Sequence, residues 1–342
     1  MPDFIPGIEL ARGYYDDVVG PLIGATPHAA GRLGWGSDVL GFDTARSTDH
    51  GWGPHLHVFV AAEEVKPLRA RIEEGIPQDY LGWPTRFGWD EVVPRSWVEV
   101  FTLDEWLPRH FGCDPRPAPT TLQWLVLPQQ LLLEVVGGGL FHDDDGSLTS
   151  LREELAWYPD DVWLWLLACQ WQRIGQEEAF VGRTAEVGDD LGSSVVAARL
   201  TRDLMRLCFL IERRYAPYSK WFGTAFRTLD AASELGPLLE TGELGGAYEA
   251  VARRHNALGV TDALEPKLRP FYGRPFPVIF AERFAAACME RVEDPWLRSL
   301  PPIGAIDQWC DSTDVLSKPA VLRDAAAIYG EPSIPRSETR HI

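Results

Sequence analysis

The sequence predicts an α+β protein, mixed α/β at its N-terminus and helical beyond about residue 150. Segments 55–61 and 97–103 alternate or are wholly apolar, which is typical of strands. From Ser150 onward, apolar residues recur at helical spacing through several long stretches. The 342 residues are enough for two domains. We therefore expect domains at 1–150 and 151–330, followed by a loose polar tail at 331–342.

The N-terminal elements follow one another in a clear order. Apolar residues of segment 8–24 share one face and predict a helix, and turn residues fill segment 24–37. The elements expected after that turn are a strand at 55–61, a helix over 62–77, a strand at 97–103 and a helix near 122–134.

Charge and cysteine content exclude several classes of protein. The formal net charge of −18 argues against a long nucleic acid partner and against an anionic membrane surface, because both need clustered Lys and Arg. The five cysteines are scattered without a C-x-x-C pair, which favours buried thiols in a reducing compartment. The N-terminus lacks the features of a signal peptide, and the most apolar run, 162–169, is too short to span a bilayer. We expect a cytoplasmic protein.

The Gly-x-Gly-Ser segment at 34–37 is the first candidate for ligand binding. Glycines at 34 and 36 let the backbone turn, and Ser37 offers a hydroxyl and an amide where a helix is expected to begin. A dinucleotide-binding loop needs a third glycine, but Val39 stands there, and a Walker A loop needs a lysine that is absent. The segment predicts either a phosphate-binding loop or a plain turn.

Longer motifs carry a resemblance to a known family. They include "GSDVLGFDTARSTDHGWGP" at 36–54, "PQQLLLEVVGGGLFHDDDGSL" at 128–148 and "YPDDVWLWLLACQWQRIGQEEAFVGR" at 158–183. Two more are "RRYAPYSKWFGTAF" at 213–226 and "DQWCDSTDVL" at 307–316. On these motifs the chain resembles the DUF4037 family, which is assigned to the nucleotidyltransferase (polymerase-β-like) superfamily.

The resemblance implies a nucleotidyltransferase-like N-terminal domain with a mixed sheet, followed by an α-helical bundle that closes the nucleotide pocket. In that superfamily a Gly-Ser turn precedes Asp-x-Asp on the next strand, and a third carboxylate comes from a neighbouring strand. Alternate strand residues point the same way, so two carboxylates face one pair of Mg²⁺ ions. Gly36 and Ser37 would hold the phosphates.

The chain departs from this pattern at its second carboxylate. Asp49 fills the first position, at the head of the expected strand, but Gly51 occupies the second and has no ligand atom. Glu99, in the strand at 97–103, is the candidate third carboxylate, and Asp38 beside the loop is a substitute. The expected metal ligands are therefore Asp49, Glu99 and Asp38, with Asp49 and Glu99 as catalytic residues.

His55 and His57 have the same parity as Asp49 if the strand is unbroken. They could then contact phosphate or join Asp49 on a transition metal. Pro54 interrupts a regular ladder, however, so two histidines on a half-exposed strand remain the alternative.

A basic, aromatic segment at 213–223 is the second candidate for nucleotide binding. Lys220 and Arg214 could neutralise a triphosphate, and Tyr218 could stack on a base. The alternative is a helix C-terminus where cations are favoured by the helix dipole. Lys220 is the preferred phosphate ligand.

These expectations combine into one functional hypothesis and two alternatives. The first is a Mg²⁺-dependent nucleotidyltransferase that moves NMP from an NTP, ATP first, to a hydroxyl of a small molecule or protein. The second is a catalytically degenerate nucleotide sensor that lost its metal pair at Gly51, and the third is an antitoxin-like interaction protein that binds no nucleotide. The sequence names neither the acceptor nor the oligomeric state.

Overall fold

A computed structural model describes residues 2–90 and 92–330 of the chain. The loose tail expected at 331–342 lies outside the described residues. The helices are α1 (Gly7–Tyr14), α2 (Gly20–Ile23), α3 (Ala62–Gly75), α4 (Leu103–Phe111), α5 (Thr121–Val126), α6 (Gln129–Val136), α7 (Ser147–Glu154), α8 (Asp160–Glu177), α9 (Phe180–Glu186), α10 (Asp190–Ile211), α11 (Ser219–Phe226), α12 (Ala232–Glu240), α13 (Leu244–Ala257), α14 (Glu282–Arg291), α15 (Pro295–Ser299), α16 (Ile306–Trp309), α17 (Thr313–Leu316) and α18 (Pro319–Ala325). A π-helical turn, Tyr15–Val19, joins α1 to α2.

The strands are shorter and concentrate in the N-terminal half. They are β1 (Ala29–Arg32), β2 (His55–Phe59), β3 (Asp79–Tyr80), β4 (Trp83–Pro84), β5 (Arg86–Phe87), β6 (Arg95–Phe101), β7 (Gly139–Asp143), β8 (Arg269–Pro270) and β9 (Pro277–Val278).

The chain divides into two compact units. The first comprises the described part of Met1–Pro119 together with Gln130–Ala156 and Ser317–Ala320. The second comprises Thr120–Gln129, Trp157–Leu316 and the described part of Val321–Ile342.

The first unit is built on a five-stranded mixed sheet in the order β5-β6-β2-β1-β7. β2 runs parallel to β6, and the chain crosses between them through α3, as a parallel pair requires. The pairs β1–β2, β1–β7 and β5–β6 are antiparallel. The mixed sheet expected in the N-terminal part is therefore confirmed.

Side chains alternate along each strand, so one face of the sheet is apolar and the other carries polar side chains. Leu56 and Val58 of β2, with Val98 and Val100 of β6, are buried in the apolar core beneath the π turn and α3. The opposite face carries His55 and His57 of β2 beside Trp97 and Glu99 of β6, since the register pairs His55 with Trp97 and His57 with Glu99. A polar set is thus held on rigid strands.

The second unit consists mainly of helices, which confirms the α-helical C-terminal part of the expected fold. Long α8 lies at its centre, with Trp163, Trp165 and Trp171 fully buried, and packs against α10 and α14. Along residues 2–90 and 92–330, no helix is both long enough and apolar enough to cross a bilayer.

Three local expectations are wrong. The turn-rich segment 24–37 contains β1, because pairing with β2 and β7 outweighs its weakly strand-forming Ala-Ala-Gly-Arg sequence. The helix expected near 122–134 is two helices, α5 and α6, because Pro128 follows the extended Leu127 between them. Ser37 lies in a turn rather than at the start of a helix.

Candidate functional site

The Gly-Ser segment forms a turn around Arg32, the last residue of β1. Arg32 is only 1% exposed, and its guanidinium donates to the Asp38 carboxylate at 2.6 and 2.9 Å. It also donates to the carbonyl oxygens of Leu33 and of Trp35, the latter at 2.8 Å. Gly36 has a φ of 142°, and a Cβ there would collide with both partners of the ion pair. Arg32 was not expected at the site, although a charged residue just before the glycines of Gly-x-Gly-Ser is a visible signal in the sequence.

The turn leaves backbone donors unused. Its carbonyls at Leu33 and Trp35 bind Arg32, while the amide N–H groups of Trp35, Gly36 and Ser37 donate to no residue that the structure describes. Adjacent free N–H groups are a typical anion-binding arrangement. Phosphate binding at this turn therefore stays a prediction, and it does not need a helix N-terminus.

Beside this turn lies a cluster of His55, His57 and Glu99. Glu99 Oε2 is 3.4 Å from His57 Nε2 and 3.7 Å from His55 Nε2. One candidate ligand atom from each residue lies within 4.8 Å of the others. Gly34 brings the turn against the cluster, because a Cβ on Gly34 would be 3.3 Å from His57 Cε1. The two histidines were expected to join Asp49, whereas the strand register brings them to Glu99 instead.

The two imidazoles are buried without enough hydrogen-bond partners. Both ring nitrogens of His55 and Nδ1 of His57 have no partner among the described residues. Burial lowers the pKa of both histidines well below its usual value, and positively charged Arg32 lowers that of His55 further. Buried polar groups are normally hydrogen-bonded, so these nitrogens are available to an ordered water or an ion.

Aromatic rings and one arginine enclose the cluster. Trp35 and Trp97 each lie within 5.6 Å of the His55 ring, centroid to centroid, and Trp106 of α4 lies 5.6 Å from the His57 ring. Arg95 stacks on Trp97 and donates to Glu99 Oε1 at 3.1 Å. That contact leaves Oε2 toward the histidines, and the Glu99 side chain, 20% exposed, forms the open side.

Asp49 does not lie at the head of β2. It ends a 3-10 helix, Ala45–Asp49, and its 54%-exposed side chain pairs with His50 at 2.7 Å. The strand begins only at His55 because Gly51 and Gly53 have φ angles of 63° and 155° and Pro54 follows. Of the expected metal ligands, Glu99 joins the histidines, Asp38 binds Arg32, and Asp49 lies on an exposed helix.

Gly51 itself is expected to resist replacement by aspartate. A Cβ there would lie 2.9 Å from the Trp35 ring, in addition to the positive φ. We predict that Gly51→Asp lowers the free energy of unfolding by about 1–3 kcal/mol and adds no metal affinity. The matched control is Gly41→Asp, because Gly41 has a φ of 72° and nothing near its Cβ position. Urea unfolding of the two variants tests this, and equal stability would contradict the packing argument.

The other expected nucleotide ligands belong to the second unit. Tyr218 precedes α11, whose first turn contains exposed Lys220, 5.0 Å above the Trp221 ring. Arg214 donates to the Thr228 carbonyl at 3.2 Å.

A second histidine cluster, His28, His142 and Asp144, is less suited to a ligand. Both His28 ring nitrogens are occupied, by the Thr26 carbonyl and the Tyr15 hydroxyl, each at 2.8 Å. His142 stacks on His28 and pairs with Asp144 at 2.9 Å near the surface. Coordination by His28 would break an existing hydrogen bond.

Comparison with known proteins gives two findings. Residues 124–222 match a family described as "Domain of unknown function (DUF4037)". A solved nucleotidyltransferase-like protein from Exiguobacterium sibiricum 255-15 is similar at 14% identity, over 74% of this chain and 77% of that chain, with a TM-score of 0.31. At that TM-score the likeness does not establish a shared fold. No curated protein matches the chain. The resemblance to the DUF4037 family is confirmed across residues 124–222.

Proposed function

We propose that the first unit binds the phosphates of a nucleoside triphosphate, ATP first, at the Gly-x-Gly-Ser turn of residues 34–37. It would then move NMP to a hydroxyl of a small-molecule or protein acceptor. One observation carries the proposal: unused N–H groups of the turn adjoin a cluster of two histidines and a glutamate. Trp35, 41% exposed on the same turn, offers a ring for base stacking.

The placement of these residues parallels the arrangement that the resemblance implies. A Gly-Ser turn follows one strand, two ligand-type residues alternate on the next, and a carboxylate stands opposite on a parallel neighbour. In this proposal His55 and His57, rather than Asp49 and Gly51, would take the places of Asp-x-Asp, and Glu99 that of the third carboxylate. In such a transfer the acceptor oxygen attacks the α-phosphorus as pyrophosphate leaves. The turn would hold the phosphates, and Lys220, Arg214 and Tyr218 remain proposed nucleotide contacts.

Mg²⁺, which the resemblance implies, does not fit this cluster. Mg²⁺ takes oxygen ligands in near-ideal octahedral geometry, whereas the cluster offers two imidazoles and one carboxylate. Asp49, Glu99 and Asp38 together would suit Mg²⁺ chemically, but Asp38 already binds Arg32 with both oxygens. A Mg²⁺ site of those three residues is therefore the less favoured version of the proposal.

A nucleotide sensor is the second candidate, and the ion pair of Asp38 favours it. Gly51 has no carboxylate and lies before the strand, and both Asp38 oxygens bind Arg32, so a nucleotide could bind without being turned over. Such a protein would bind ATP or GTP and release no pyrophosphate in the presence of any acceptor.

Calorimetric titration of ATP and GTP, with and without divalent metal, tests these proposals. We expect nucleotide affinity to fall at least tenfold in Glu99→Gln and to stay unchanged in Asp49→Asn. The reason is that Glu99 belongs to the cluster beside the turn, whereas Asp49 pairs with His50 on an exposed helix. Loss in Asp49→Asn alone would favour the Mg²⁺ version. If neither nucleotide binds, both nucleotide proposals fail and an interaction protein remains.

A further inference from the structure

We propose that His55, His57 and Glu99 form a binding site for a transition-metal dication, with Zn²⁺ the first candidate. The site uses two imidazole nitrogens and one carboxylate oxygen and leaves a fourth position open. As a cofactor site for transfer it rests on the proposed function, but as a metal site it stands without any nucleotide.

The distances match a coordination sphere before the metal enters. Ligands about 2.0–2.1 Å from a tetrahedral Zn²⁺ lie roughly 3.3–3.4 Å from one another. Glu99 Oε2 is already 3.4 and 3.7 Å from the two Nε2 atoms. All three ligand atoms lie within 4.8 Å of one another, so one ion can reach the three side chains after local adjustment.

The chemistry of the donors selects the class of metal. Imidazole suits Zn²⁺ and other first-row transition metals, whereas Mg²⁺ and Ca²⁺ prefer oxygen. Both ring nitrogens of His55 lack partners within the described chain, so coordination by His55 would break no existing hydrogen bond. His57 would coordinate through Nε2, which already faces Glu99 Oε2. The metal would supply the partner that burial otherwise denies to the His55 ring.

Neighbouring residues orient the ligand side chains and shield them from water. Arg95 fixes Glu99 through Oε1 and orients Oε2 toward the histidines. Trp35, Trp97 and Trp106 close the apolar sides, and the partly exposed Glu99 leaves an approach for water or a phosphate oxygen. Three protein ligands with one open position are typical of catalytic rather than structural zinc sites.

The test is titration of chelator-treated protein with Zn²⁺, and with Co²⁺ as a visible probe, in the absence of nucleotide. We expect one metal per chain, a Co²⁺ absorption spectrum of low coordination number, a Tm increase with Zn²⁺, and no competition from millimolar Mg²⁺. Glu99→Gln and His57→Gln should each weaken binding at least tenfold. His142→Ala, in the second cluster, is the matched control and should bind as the parent does.

Several results would overturn the proposal. They are binding of no metal by the parent, full binding by Glu99→Gln, or loss confined to His142→Ala. Circular dichroism identifies a variant that fails to fold, and the other ligand variant, compared with His142→Ala, then decides. Because no nucleotide is present, failure to bind nucleotide does not contradict the metal site. Failure to bind metal likewise does not contradict nucleotide binding at the turn.

Discussion

Replacing Arg32 by methionine is expected to lower the free energy of unfolding by about 3–5 kcal/mol. The guanidinium is fully buried, binds the Asp38 carboxylate through two nitrogens, and donates to two carbonyls of the turn. Methionine fills similar volume but leaves a buried, unpaired carboxylate, and that desolvation dominates the loss. Urea unfolding in the presence of a chelator measures this effect without any metal.

The controls separate the ion pair from general effects of mutation. Arg46→Met, on the exposed 3-10 helix, should change stability by no more than about 0.5 kcal/mol. Replacing both partners, as Arg32→Met with Asp38→Leu, should recover part of the loss because no charge is left behind. If Arg32→Met unfolds no more easily than Arg46→Met, Asp38 is free for another role, such as the metal ligand that the sequence suggested.

Acidification from pH 7 to pH 4 is expected to destabilise the second unit through His255 by about 3 kcal/mol. Trp171 Nε1, which can only donate, bonds to His255 Nδ1 at 3.2 Å, so that nitrogen carries no proton. Burial lowers the pKa of His255 from 6.5 to about 4. Between these pKa values the unfolded chain binds the proton and the folded chain does not, so stability is present above pH 6.5 and is lost as the pH falls toward 4.

Glutamine at position 255 tests this assignment. Its amide can accept from Trp171 and donate to Thr261, as the imidazole does, but it does not titrate. We expect His255→Gln to lower the free energy of unfolding by about 1–2 kcal/mol at pH 7. As the pH falls, the parent loses stability through His255 and the variant does not, so the difference between their free energies of unfolding becomes smaller. Denaturation at pH 5 and pH 7 gives both values. A gap that stays constant with pH would assign the acid sensitivity to other groups.

Hydrophobic periodicity predicted the parts of the fold that are long or strongly patterned. The helix expected over 8–24 occurs as α1, the π turn and α2, and the strands expected at 55–61 and 97–103 occur as β2 and β6. β1 and β7 were not predicted, because pairing with neighbouring strands rather than their own composition makes them strands. Tertiary pairing of this kind is absent from a local pattern.

The candidate site was only partly predictable for the same reason. Glu99 and the two histidines could be named, but their meeting depends on the register of a parallel pair separated by α3. Asp49 was placed on the strand because the sequence does not show that positive φ angles at Gly51 and Gly53 delay its start. The phosphate-binding roles of Gly36, Ser37 and Lys220 remain proposals.

The ion pair beneath the turn also constrains how this chain can diverge. The ion pair of Arg32 and Asp38 fills the space where a Cβ on Gly36 would lie. A substitution at any one of the three positions therefore changes which residues the other two can be. Exposed Trp35 stands between them, and its side chain takes no part in that constraint. In a lineage that adapts to a new ligand, these three residues are therefore inherited or abandoned together, whereas Trp35 is constrained separately by the His55 and Trp97 rings beside it.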